Sequence, residues 1–228
     1  MNQIYGFIFA DEMEYAPFRK MALYAGGSDL TDKIMPMVSL AKNGDTIYAV
    51  QCGIGKVNAS IAASLLIQEM QVDTLLNAGL SGAISKLRKG DVVAGTSYVE
   101  CDFDLRAFDL PLGKKSDGTF VHEPDSRLLH TALTIPGMKQ GALGTGDFFL
   151  TDPKVKDFYK DEFGIQAFDM ETAAIAAVAD KYGIPFLSIR KISDDADDSA
   201  LDSYTEMNNL AEEDLSAVLL QLVGLLRE

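Results

Sequence analysis

The sequence predicts an α/β fold: a three-layer sandwich in which a mixed central sheet is flanked by helices on both faces. Two observations predict it. Short apolar runs alternate with helix-length amphipathic stretches, and no Pro/Ser-rich linker or internal repeat interrupts the chain. With 47% hydrophobic and 24% charged residues, the 228-residue chain has an ordinary globular composition. We therefore expect a single domain over residues 1–228.

Six apolar runs have the length and composition of buried strands. In chain order they cover residues 4–10, 46–52, 72–79, 91–99, 138–146 and 185–193. Between them, the run from Lys56 to Gln71 places apolar residues at helical spacing, and the run from Tyr204 predicts an amphipathic C-terminal helix whose leucine repeat begins at Leu210. Because binding sites in such sheets form where strand ends meet loops, the residues after each strand are the functional candidates.

Charge and residue counts exclude several classes of function. A net charge of −14 argues against a nucleic acid or an anionic membrane as partner. Two cysteines are too few for a disulfide scaffold, and no Cys/His cluster has metal-ligand spacing. The N-terminus has no basic leader and no apolar run has the length of a membrane span. We expect a cytoplasmic protein that uses no metal and no cofactor.

Acidic residues sit at three predicted strand ends. They are Asp11, Glu12 and Glu14 after the first strand, Asp169 and Glu171 at the head of an alanine-rich helix, and Asp194 after the last strand. Singly, each has an ordinary explanation as a helix cap or a solvated loop charge. Together they predict a crevice for a neutral polyhydroxylated substrate. There, one carboxylic acid protonates a leaving group and one carboxylate activates water, the logic of glycosidic-bond cleavage.

Glycine and aromatic residues follow other strands. Gly53 and Gly55 predict a tight turn that either holds an anion or only joins strand to helix. Gly79, in "NAGLSGA", allows close approach of the backbone to a ligand or, equally, close packing. Phe149, beside a glycine-containing turn, is either a core residue or a ring that stacks on a flat ligand.

Seven short motifs, in this order and spacing, resemble the nucleoside phosphorylase/nucleosidase superfamily, and most nearly its 5′-methylthioadenosine/S-adenosylhomocysteine nucleosidases. They are "ADEME" (10–14), "CGIGKVNA" (52–59), "NAGLSGA" (77–83), "KGDVV" (89–93), "TGDFFL" (145–150), "DMET" (169–172) and "RKISDDAD" (190–197). The resemblance extends over nearly the whole chain. It implies a purine nucleoside phosphorylase-like fold and cleavage of an N-glycosidic bond.

The resemblance assigns roles around the sugar. Glu171 would hold the ribose 2′ and 3′ hydroxyls, with Met170 packed beneath the sugar. Glu14 would activate the attacking water, with Glu12 as the competing candidate. Leu80 stands where the nucleosidases usually carry a small polar residue that touches the water or the ribose.

The resemblance also assigns roles around the base. Asp194 would protonate purine N7, supported by Ser193 and Arg190, and its pKa would have to be raised by burial or by a nearby negative charge. Phe149 would stack on the purine, and backbone groups at Leu150 would read its edge.

A homodimer is also implied by the resemblance, because Phe108 in "RAFDL" matches a residue that this family lends to the neighbouring subunit's site. Two alternatives remain open. A nucleoside phosphorylase would use phosphate in place of water, but the early turn is acidic and "NAGLSG" carries no arginine, which disfavours an anion. A non-catalytic nucleoside-binding homologue would have no need for both an acid and a base.

Overall fold

The computed structural model of the protein describes residues 2–30, 34–197, 200–202 and 212–227. The strands form one sheet. They are β1 (Ile4–Phe9), β2 (Ser28–Asp29), β3 (Met37–Lys42), β4 (Asp45–Gln51), β5 (Thr74–Ala83), β6 (Val92–Glu100), β7 (Lys139–Thr145), β8 (Ala167–Asp169) and β9 (Phe186–Asp194). The α-helices are α1 (Glu12–Tyr24), α2 (Lys56–Gln68), α3 (Ser126–Ala132), α4 (Pro153–Phe163), α5 (Thr172–Tyr182) and α6 (Glu212–Leu225).

The sheet is mixed, as the sequence predicts. Its order is β2-β3-β4-β1-β5-β8-β7-β6-β9, and β9 also pairs with β5. The β1–β4, β1–β5, β5–β9, β6–β7 and β7–β8 pairs are parallel, and the β2–β3, β3–β4, β5–β8 and β6–β9 pairs are antiparallel. Because β9 returns to β5, the strands β5, β8, β7, β6 and β9 close into a ring, a feature that the sequence did not predict.

All six predicted strands are present. One of them ends later than predicted, and this difference affects the site. The strand predicted to end at Gly79 continues to Ala83, because β9 pairs beside it up to Gly82. A register shift after Ser81 bends the strand end. Three strands, β2, β3 and β8, were not predicted. The predicted C-terminal helix is present as α6, while Leu210 lies outside the described residues.

Successive side chains of β1 point to opposite faces of the sheet, where two separate cores lie. Phe7 and Phe9 face a core shared with Phe18 of α1 and with α3 and α6, whereas Ile8 faces the opposite core, shared with α2 and α5. Each fully buried side chain of this size contributes roughly 1.5–3 kcal/mol of hydrophobic stabilisation. Helices therefore pack on both faces of the sheet. No helix among the described residues is long and apolar enough to span a bilayer.

Candidate active site

A cavity of about 170 Å³ opens at the carboxyl ends of β1, β5, β8 and β9. Its walls combine carboxylates with apolar and aromatic side chains. The described lining residues that bear on function are Asp11, Glu14, Ile54, Leu80, Phe149, Leu150, Asp169, Met170, Glu171, Ser193, Asp194 and Leu201. The strand ends predicted to converge therefore do meet at one cavity.

Glu14, after the first strand, lies in the cavity wall. It occupies the first turn of α1 and is 6% exposed. The N–H of Ala10 donates to its Oε2 and the N–H of Leu80 to its Oε1, each at 2.8 Å. Burial, followed by the neighbouring charge of Asp11, raises the pKa of Glu14 to about 8. Glu12 is exposed and does not line the cavity, since it lies about 200° away around the helix.

Glu171 is anchored on two sides at the head of α5. Its Oε1 accepts the N–H of Gly55 at 3.0 Å, and its Oε2 accepts a hydrogen bond from Nη2 of Arg190 at 3.3 Å. The helix cap is supplied by Asp169, whose Oδ1 accepts the N–H groups of Glu171 and Thr172 at 2.9 and 2.8 Å. The pKa of Glu171 is raised by burial. With Asp169 as the cap, the carboxylate of Glu171 lines the cavity.

Arg190 occupies a different place from the one expected. Its side chain is fully buried, Nε lies 3.3 Å from Oδ2 of Asp169, and Nη2 bonds to Glu171 and to Oγ1 of Thr172. The expected support of Asp194 by Arg190 is therefore wrong. The two residues are four apart on β9, which is about 13 Å along an extended strand. Arg190 instead pairs with the carboxylates at the head of α5.

Asp194 ends β9 and is 3% exposed. Ser193 donates its hydroxyl proton to Oδ2 at 2.7 Å, and the N–H of Ala196 donates to Oδ1 at 2.7 Å. Burial is the main cause that raises the pKa of Asp194. Its neighbour Asp195 is exposed and does not line the cavity. Of Asp194 and Asp195, only Asp194 lines the cavity, and Ser193 makes the expected hydrogen bond to it.

Two glycines on β5 make room for these carboxyls. A Cβ on Gly79 would lie 2.2 Å from Nη1 of Arg190 and 2.6 Å from Oε1 of Glu14. A Cβ on Gly82 would lie 2.8 Å from Oδ1 of Asp194. Gly79 does not line the cavity, so its role is close packing of the site's own side chains and not approach to a ligand.

The remaining predicted residues divide between the cavity and the surface. Leu80, Leu150 and Met170 line the cavity, and Phe149 lines it while 41% exposed. Phe108, in a short 3₁₀ turn, is 74% exposed and does not line this chain's cavity.

Sequence reasoning missed two kinds of lining residue. Ile54 and Leu201 form exposed apolar parts of the wall and carry no pattern that distinguishes them from surface residues. Asp11 has no assigned role at the site, and it caps α1, since its Oδ1 accepts the N–H of Glu14 at 2.9 Å. It also lines the cavity.

Metal and thiol chemistry find no support among the described residues. No group of three or more His, Cys, Asp and Glu side chains there has the geometry to hold a metal ion. Burial raises the pKa of the Cys52 and Cys101 thiols, which disfavours the reactive thiolate.

The sequence matches the family model described as the phosphorylase superfamily over residues 5–224. A curated relative, the 5′-methylthioadenosine/S-adenosylhomocysteine nucleosidase of Exiguobacterium sp. (strain ATCC BAA-1283 / AT1b), is 34% identical over 168 residues, which cover 70% of this chain and 72% of the relative.

Two solved structures from Helicobacter pylori superpose closely on the fold. One is a mutant 5′-methylthioadenosine/S-adenosylhomocysteine nucleosidase with 5′-methylthioadenosine in its active site; it has a TM-score of 0.94 and 27% identity, with 98% of this chain and 99% of that chain covered. The other is the futalosine hydrolase of strain 26695, with a TM-score of 0.93, 26% identity and 97% of each chain covered.

Proposed function

The chain belongs to the phosphorylase superfamily, and from this premise we propose that it hydrolyses the N-glycosidic bond of 5′-methylthioadenosine, S-adenosylhomocysteine or both. The products are adenine and the 5-thio-substituted ribose. One observation carries the proposal: Glu14, Glu171 and Asp194, from three separate strand ends, are buried around one cavity. A binding protein would have no use for both a protonated and an ionised carboxyl in such a site.

We assign to Asp194 the protonation that allows the purine to leave. A carboxyl whose pKa is raised by burial keeps its proton closer to neutral pH and can donate it to purine N7. The hydroxyl of Ser193 and the N–H of Ala196 fix the carboxyl plane. Phe149 forms an aromatic wall on which the base stacks, and Leu150 closes the cavity beside it. Protonation removes the negative charge that would otherwise develop on the leaving base.

Attack by water is assigned to Glu14. Its two backbone donors hold the carboxylate in one orientation. With a pKa of about 8, only the minor ionised form is present at neutral pH, and the same raised pKa makes that form a stronger base. Close by, above Gly79, Nη1 of Arg190 is a buried donor without a hydrogen-bond partner among the described residues. Such a donor costs roughly 1–3 kcal/mol when it is left unsatisfied. The oxygen of the attacking water is the partner that we assign to it.

The sugar is assigned to Glu171 and Met170. Charge-assisted hydrogen bonds from the 2′ and 3′ hydroxyls to Glu171 would orient the ring, and Met170 offers an apolar surface beneath it. Arg190 and the N–H of Gly55 keep the Glu171 carboxylate fixed. The helix-start carboxylate thus acts as a sugar clamp, while Asp169 does the capping.

Phosphate is a poor nucleophile for this cavity. None of the described lining residues is Lys, Arg or His. The nearest arginine, Arg190, is already paired with Asp169 and Glu171. A phosphate would therefore meet carboxylates without a free cation to offset its charge, which favours hydrolysis over phosphorolysis.

We also propose that the protein acts as a cytoplasmic homodimer. The exposed ring of Phe108 does not line the described cavity of its own chain. Together with the resemblance, this supports a role for Phe108 at the neighbouring subunit's site.

The test is a product assay on the purified protein. It would be incubated with 5′-methylthioadenosine, S-adenosylhomocysteine, adenosine and inosine, each with and without phosphate, and base and sugar would be separated by chromatography. Free adenine and free 5-thio-ribose without phosphate are the expected products. Sugar 1-phosphate that appears only with phosphate would refute the hydrolase assignment.

A matched pair of variants tests the base. Glu14→Gln is expected to lose nearly all hydrolysis, whereas Glu12→Gln, on the exposed side of the same helix turn, should keep it. Loss in Glu12→Gln alone would overturn the assignment of Glu14.

A further inference from the structure

The charge of the cavity is entirely of one sign among its described lining residues. Five of them carry carboxyl groups and none carries a basic group; the five are Asp11, Glu14, Asp169, Glu171 and Asp194. Arg190 is paired with both Asp169 and Glu171, so its single positive charge offsets only part of theirs. The remaining negative potential is therefore directed toward a ligand.

Asp11 differs from the other four carboxyls in depth. Glu14, Asp169, Glu171 and Asp194 are at most 6% exposed, whereas Asp11 is half-buried. The cavity lining also includes three exposed residues, Ile54, Leu201 and Phe149, at 52%, 63% and 41% exposure. Phe149 is assigned to the base, and we call Asp11, Ile54 and Leu201 the mouth of the cavity. It is apolar except for one carboxylate.

The 5′ substituent of a nucleoside is the part that reaches this mouth. Under the proposed function, Asp194 takes purine N7, Glu14 serves the anomeric carbon and Glu171 takes the 2′ and 3′ hydroxyls. The side chains of these three residues are buried, and we call them the floor of the cavity. The 5′ substituent has no assigned partner on the floor, and substituents of different size fit only where the cavity opens.

We propose that Asp11 makes the enzyme selective for the charge of the 5′ substituent, favouring an ammonium group and disfavouring a carboxylate, with a neutral alkylthio group between them. The inference rests on the proposed function. Ile54 and Leu201 contact the alkylthio stem, and the carboxylate of Asp11 attracts or repels the group at its end. Near a partly desolvated carboxylate, opposite charges attract and like charges are penalised.

Asp11 can be neutralised with its helix cap retained. It caps α1 through Oδ1, and asparagine is as good an N-cap as aspartate. Asp11→Asn therefore removes the charge and keeps the cap. Asp152→Asn is the matched control, because Asp152 caps α4 through the N–H of Lys154, is exposed and does not line the cavity.

The experiment compares kcat/KM for three 5′-deoxyadenosines that carry 2-aminoethylthio, ethylthio or carboxymethylthio groups, at neutral pH and low salt. All three share the same reacting centre, so an effect of Asp11 on Glu14 cancels in the ratios. For wild type, the amino substrate should exceed the carboxy substrate by on the order of tenfold. Asp11→Asn should reduce that ratio to roughly threefold or less, and Asp152→Asn should leave it unchanged. Salt near 1 M, where the Debye length is about 3 Å, should reduce the wild-type ratio as well.

Each other outcome has a distinct meaning. Equal kcat/KM for the three substrates in wild type would overturn the inference and leave the proposed hydrolase intact. A tenfold ratio that persists in Asp11→Asn would show that the floor carboxylates, and not Asp11, read the substituent. No cleavage of any of the three would refute the proposed function itself.

Discussion

Replacing Glu14 with glutamine is expected to change how the free energy of unfolding depends on pH. In the folded protein, burial and the charge of Asp11 raise the pKa of Glu14 from its ordinary value of 4.5 to about 8. Between these two values the folded chain holds a proton at Glu14 that the unfolded chain has released. The stabilisation linked to that proton is complete below pH 4.5 and is lost as the pH rises through about 8.

The magnitude follows from the size of this window. Each pH unit within it lowers the wild-type free energy of unfolding by about 1.4 kcal/mol relative to a chain that cannot ionise at this position. Across the window the difference accumulates to the order of 5 kcal/mol. Glutamine also leaves one of the two backbone N–H groups, of Ala10 or Leu80, without an acceptor. That penalty is the same at every pH, so it shifts the curve without changing its slope.

The assay is urea unfolding at pH 5, 6, 7, 8 and 9. The chain contains no tryptophan, so far-UV circular dichroism is the suitable signal. The free energy of unfolding of Glu14→Gln minus that of wild type should rise steadily from pH 5 to 8 and then level off. Glu12→Gln, exposed on the same helix, should follow wild type at every pH. Parallel curves for Glu14→Gln and wild type would refute the claim that Glu14 keeps its proton to an unusually high pH.

Three further predictions concern activity. Asp194→Asn should lose roughly 10²–10⁴-fold in kcat, the usual contribution of a general acid, while Asp195→Asn stays close to wild type; equal rates in the two variants would remove Asp194 from the acid role. Gly82→Ala should lose about 10²-fold in kcat, because a Cβ there would lie 2.8 Å from the Asp194 carboxyl. Gly224→Ala, with open space around its Cα, is the control, and full activity of Gly82→Ala would contradict the packing argument. Phe108→Ala should raise KM for 5′-thio substrates in a protein that sediments as a dimer; a fully active monomer would contradict that role.

The sequence predicted the strand ends of the site well, because buried strands leave continuous apolar runs that local pattern reveals. It predicted which acidic segments meet, since the carboxyl edge of such a sheet gathers the loops. Spacing alone could not decide whether Glu12 or Glu14 is the base. The answer depends on the rotation of α1 about its axis, which packing of Phe18 against the sheet determines.

Other features depended on contacts that no local pattern encodes. β8 has three residues and leads directly into an alanine-rich helix, so it has too few residues to show an alternating pattern. The partner of Arg190 depends on strand pairing, because β9 must lie beside β5 before its guanidinium can reach Glu171. For the same reason, closure of the five-strand ring was not predicted. Pairing between β5 and β9 joins segments about half the chain apart, as Asn77 beside Ser188 illustrates.

Because of the pairing between β5 and β9, enzyme activity requires that the chain has folded completely. β9 carries Arg190 and Asp194 and pairs with both β5 and β6, so a chain that ends before it has neither the counter-charge for Glu171 nor the acid. Contacts of such long sequence separation form late and slowly. During synthesis, nucleoside cleavage should therefore begin only after this last strand has left the ribosome and joined the sheet. In refolding experiments, the recovery of product formation would time that single event.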